Sequence, residues 1–191
     1  MLEKEKQRYG RNKNTSINHN YINSGNYRKK FDKISEDVEL NRLIYSLAKK
    51  MLIHRSGTRY EDMYWVDMKT LNVIYGVTNS SVEGKILYTK QIRKIIKNNK
   101  NLVTIHSHPS SLPPSIEDFN SVYTNKYCFG IVCGHNGSIY IYSSKEYLPS
   151  ETYFYLTGKM YKQCFDEEQA HILALTELSK SYKIFFREVT A

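Results

Sequence analysis

Read along the chain, the apolar positions change their period several times, and each change marks an element. Between residues 36 and 55, Leu40, Leu43, Ile44, Leu47, Ala48 and Leu52 recur at three- and four-residue steps, the stripe of an amphipathic helix. Ser35 is the expected N-cap, Asp37 and Glu39 fall in the first turn, and Gly57 closes the segment. Residues 60–68 and 73–78 are rich in aromatic and β-branched side chains and flank the turn Lys69-Thr70-Leu71-Asn72, which predicts an antiparallel hairpin. Residues 89–99 return to helical spacing: Thr89 caps, Ile92, Ile95 and Ile96 face inward, and a row of lysines with Arg93 faces solvent. Leu102-Val103-Thr104-Ile105 is a short buried strand. Ser115 caps a helix that runs on through Phe119 and Val122.

Tyr127 to Cys133 is a near-continuous apolar run, as expected of a central strand. Asn136-Gly137 then signals a hairpin into Ser138-Ile139-Tyr140-Ile141-Tyr142. Asp166 begins a further helix with Ala170, Leu173, Ala174, Glu177 and Leu178 on one face, and residues 183–189 end the chain as an extended segment. The order is helix, hairpin, helix, strand, short helix, hairpin, helix. It predicts an α/β domain, a mixed β-sheet packed between helices.

Residues 1–31 lack this periodicity. They are rich in Asn, Lys, Arg and Ser and poor in aliphatic side chains, which predicts disorder because little surface is available to offset chain entropy. The organisation expected is therefore a basic extension over residues 1–33 and a folded domain over 34–191. The net charge is +9, of which the extension carries +6 (nine Lys/Arg against Glu3, Glu5 and Asp32), so the domain is nearly neutral. Tyr9, Tyr21 and Tyr27 lie among these charges. Cations for phosphate and rings for stacking would suit a nucleic-acid-binding arm, and a solvated tail is the plainer expectation.

Composition narrows the class further. The chain is 191 residues long and 40% hydrophobic, enough for one domain with a real core. No run is long and apolar enough to span a membrane, and no signal peptide is visible, so the expectation is a cytoplasmic protein. Cys128, Cys133 and Cys164 form neither an even set nor a Cys-x-x-Cys pair, which fits a reducing compartment and buried thiols.

Chemistry is concentrated at residues 105–118, Ile-His-Ser-His-Pro-Ser-Ser-Leu-Pro-Pro-Ser-Ile-Glu-Asp. Side chains two apart on a strand share a face, so His106 and His108 can reach one point at the strand's end. Pro109, Pro113 and Pro114 turn the chain at little entropic cost, and the first turn of the next helix brings Asp118 back. Two imidazoles and a carboxylate, with a fourth position open to water, make the ligand set of a catalytic zinc site. His135 lies in a hairpin turn and His171 off the helix stripe, and neither is needed to complete the set.

This run resembles the JAMM signature of JAB/MPN-domain zinc metalloproteases: His-x-His, a spacer, then Ser-x-x-Asp. It is closest to the bacterial RadC-like branch, with Ser107 where that branch has Asn and Ser111 where it has Gly. The resemblance covers about residues 40–145. It implies the deaminase-like three-layer version of the α/β fold. It also implies a zinc-dependent peptidase or isopeptidase acting on a protein or peptide substrate. It places Zn²⁺ on His106, His108 and Asp118, makes Glu61 the general base, and gives Ser115 a hydrogen bond to the oxyanion. Glu83, with Asp62 behind it, is the alternative to Glu61. The same resemblance leaves room for two other readings: a non-catalytic MPN scaffold, and a RadC-like DNA-associated protein of phage or mobile-element origin. Oligomeric state is not readable.

Overall fold

A computed structural model describes residues 12–163 and 165–191. The elements are α1 (His19–Ile22), α2 (Gly25–Phe31), α3 (Val38–Arg55), β1 (Met63–Asp67), β2 (Asn72–Val77), α4 (Lys90–Asn98), β3 (Leu102–His108), α5 (Ile116–Asn125), β4 (Phe129–Gly134), β5 (Ile139–Ser144), α6 (Ser150–Lys162), α7 (Glu167–Ser179) and β6 (Ile184–Glu188). The six strands form one mixed sheet in the order β2-β1-β3-β4-β5-β6. β3 and β4 pair in parallel through the α5 crossover, and every other neighbouring pair is antiparallel. No helix among the described residues is long and apolar enough to cross a membrane.

Strand alternation divides the core between the two faces of the sheet. On one, Tyr64, Val66, Val103, Ile105, Ile131 and Ile141 meet the apolar stripe of α3. On the other, Met63, Trp65, Val132 and Tyr142 meet α4, α5 and α7. The mixed sheet packed between helices is thus as the pattern predicts. The stripe of α3 is buried as expected, but its cap is Asp37, whose carboxylate accepts from the amides of Glu39 and Leu40. Ser35 instead bonds Asn41, one turn inside the helix.

The described part of the N-terminal extension corrects the expectation of disorder. From Asn12 on it is folded, and Ile17, Ile22, Tyr27 and Phe31 lie in the core beneath α3. The polar residues that suggested disorder are capping residues. Asn12, Asn18 and Ser24 each accept a backbone amide at the start of a short helical turn. Their turns present four apolar side chains, and full burial contributes about 1.5–3 kcal/mol per large apolar side chain. Tyr27 is fully buried, so it cannot stack on a base; Tyr9 lies outside the described residues.

Two further differences have local causes. α6 was not expected, because its aromatic, Thr- and Gly-containing sequence has weak helix propensity and Pro149 supplies no side-chain cap. It packs mainly on α7. The segment after α7 is edge strand β6, antiparallel to β5. Of the cysteines, Cys133 is buried on β4, whereas Cys128 is exposed just before the strand begins; Cys164 lies outside the described residues.

Candidate metal centre

The centre sits at the C-terminal end of β3, where the parallel pairing with β4 and the α5 crossover open a crevice beyond the strand ends, a position favoured for ligands in open α/β sheets. His106 and His108 project to the α5 side, two residues apart as the strand period requires. Their Nε2 atoms are 3.0 Å from each other. The Asp118 carboxylate completes the triangle, with Oδ1 3.2 Å from His106 Nε2 and Oδ2 3.5 Å from His108 Nε2.

Two of the three ligand candidates, His108 and Asp118, are held in place by a neighbour. His108 Nδ1 lies 2.9 Å from the carbonyl of Leu112, which in the neutral ring places the proton there and leaves Nε2 its lone pair for a metal. Ser115 and Asp118 form a reciprocal capping box at the start of α5. The Ser115 amide donates to Asp118 Oδ2 at 2.8 Å and its hydroxyl at 2.9 Å, so Oδ1 is left to face His106. His106 Nδ1 is buried and has no hydrogen-bond partner among the described residues.

These spacings can be tested against a metal. Zinc bonds of about 2.0–2.1 Å in a tetrahedral arrangement set neighbouring donors about 3.3–3.4 Å apart. The two Nε2 atoms are 3.0 Å apart, and each lies near a different Asp118 oxygen, so with one ligand atom taken from each residue the three lie within 4.8 Å of one another. The group His106, His108 and Asp118 could hold a metal ion, the donors closing to tetrahedral spacing around it.

Charge follows the same geometry. Burial would pull His108 down, but Asp118 outweighs it and pushes His108 up to about 9. Burial would raise Asp118, and the two imidazoles hold it well below the usual carboxylate range. Glu61, at 7% exposure, is raised by burial, an effect that His108 and His106 partly offset. Among the three carboxylates considered from sequence, Glu61 is thus buried within the field of the histidines. Glu83 is largely exposed and pairs with Arg59 at 3.9 Å. Asp62 points to the other face of the sheet, bound to Arg55.

His135 is not part of the group: its Nδ1 bonds the carbonyl of Thr15, and burial lowers its pKa. His171 is less free than a surface residue. It bonds the Tyr153 hydroxyl and lines the same cleft as the histidines, together with Tyr88 and Tyr147. That cleft encloses about 1190 Å³. Sequence reasoning missed these tyrosines because Tyr88 and the segment carrying Tyr147 and Tyr153 lie far from the histidine motif in the chain. Comparison of the chain with protein-family models, curated proteins and solved structures finds no match.

Proposed function

We propose that the protein is a zinc-dependent hydrolase of the JAMM type, with a JAB/MPN-like fold, cleaving a peptide or isopeptide bond in a protein or peptide substrate. The observation that carries this reading is the convergence of His106, His108 and Asp118, two imidazoles and a carboxylate whose ligand atoms lie within 4.8 Å of one another, the donor set of a catalytic zinc site. A zinc ion held there would supply a Lewis acid and lower the pKa of a water molecule.

The chain's own residues supply the rest. Glu61, buried and raised in pKa, is suited to accept the proton of the attacking water and return it to the leaving amine. Proton transfer is efficient when the pKa of the base approaches the working pH, and burial moves Glu61 in that direction. Ser115 carries a hydroxyl at the cleft wall that could donate to the developing oxyanion. Glu61, His106, His108, Ser115 and Asp118 all line one cleft of about 1190 Å³, while burial of the histidines limits their exposure to bulk water.

The test is metal content and hydrolysis measured together. Purified protein should hold about one zinc per chain and cleave members of a peptide and isopeptide panel. Glu61→Gln should keep the zinc and lose about 10²–10⁴-fold in rate. Wild-type protein that holds no zinc after reconstitution would overturn the reading.

A further inference from the structure

The residue between the two histidines has a part of its own. β1 and β3 pair from Asp67↔Leu102 to Met63↔His106, and the regular ladder ends there. One step further, Asp62 faces Ser107. The Ser107 amide donates to the Asp62 carbonyl at 3.0 Å, but the return bond is not made by the Ser107 carbonyl. The Asp62 amide donates instead to the Ser107 hydroxyl oxygen, also at 3.0 Å. A side chain thus replaces a rung of the ladder where the strands part to open the site.

Asp62 is tied a second time, on the opposite face. Its carboxylate, 1% exposed, lies 2.5 Å from Arg55 Nε and 2.7 Å from His54 Nδ1, both in the last turn of α3. Arg55 is itself fully buried. Side chains alternate across the sheet, so anchoring Asp62 on the α3 face leaves Glu61, its neighbour, directed to the other face, where His106 and His108 lie. The Ser107 hydroxyl and the Arg55–Asp62 pair therefore join the backbone of Glu61 to that of the two histidines.

We propose that Ser107 is a positioning residue of the metal centre, acting with the Arg55–Asp62 pair to hold His106, His108 and Glu61 in register. This rests on the reading that the centre binds a metal. Groups that orient metal ligands without touching the metal typically change affinity by about 10–100-fold when removed. Ser107→Ala deletes the hydroxyl and leaves the Asp62 amide unpaired, with no charge change. Ser107→Thr keeps the hydroxyl. Ile105→Val shortens a side chain on the same face of the same strand and removes only packing.

The experiment measures zinc affinity by competition with a chromophoric chelator, and the visible spectrum of the Co²⁺-loaded proteins. Ser107→Ala should bind zinc about 10–100-fold more weakly with an altered cobalt spectrum. Ser107→Thr should restore both, and Ile105→Val should lower the melting temperature while leaving both unchanged. Wild-type affinity and spectrum in Ser107→Ala would overturn the proposal, as would an equal loss in Ile105→Val. Wild-type protein that binds neither metal would overturn the metal reading and this proposal with it.

Discussion

The ion pair between His108 and Asp118 makes the metal-free protein sensitive to alkali. His108 is raised to about 9 from its ordinary 6.5. A raised histidine binds its proton more tightly in the folded chain, so its contribution is complete below about pH 6.5 and is lost as pH climbs through about 9. The difference of about 2.5 units corresponds to about 3 kcal/mol. For a chain of this length, about 2–4 °C accompanies each kcal/mol, so the melting temperature should fall by about 6–12 °C across that window. Bound metal requires neutral His108 and removes this contribution. It also displaces one proton, so metal affinity should rise about tenfold per pH unit up to about pH 9. The assay is thermal unfolding from pH 6.5 to 9, with chelator and with saturating zinc, against His108→Gln to subtract other titrations. Chelated wild-type protein should lose stability relative to that variant as pH rises, and the gap to the zinc-loaded form should widen. A chelated protein whose melting temperature is flat or rising over this range, relative to His108→Gln, would refute the reasoning.

Other perturbations follow from single contacts. Asp118→Asn keeps the shape of the α5 cap but removes the anionic ligand; metal analysis should find zinc lost while the circular dichroism spectrum is retained. Arg55→Met leaves the Asp62 carboxylate buried beside a single partially exposed histidine, which should cost about 3–5 kcal/mol and lower the melting temperature by about 6–20 °C. Phe31→Ala should cost about 3–5 kcal/mol in urea unfolding, because Phe31 is in the core; a change under about 0.5 kcal/mol would return residues 12–33 to the status of a solvated tail.

What was legible in the sequence was what depends on local period and local bonding. The α3 stripe, the β1–β2 hairpin, the Asn136-Gly137 turn and the Ser115 cap each arise within a few residues, and each is present. The His106, His108 and Asp118 group was also legible, because strand period, a proline-rich loop and one helical turn suffice to bring them together. The N-terminal segment was not. Its four buried apolar side chains are spaced four to five apart and find their partners on α3 and the sheet, so no window of local composition reveals them. Ser107 was visible only as a residue between histidines, since its partner, Asp62, is 45 residues away in the chain.

The same distinction bears on Ser115. Resemblance assigns its hydroxyl to an oxyanion, while the structure engages that hydroxyl in a bond to Asp118. The two demands compete for one proton. Yet Asp118 Oδ2 also receives the Ser115 backbone amide at 2.8 Å, a bond that rotation of the Ser115 hydroxyl leaves intact. The hydroxyl can thus turn toward substrate while the amide keeps the carboxylate in place. A residue with only a side-chain tie to Asp118 would have to choose between orienting a ligand and stabilising charge. The capping box, a local device for starting a helix, makes the two roles compatible.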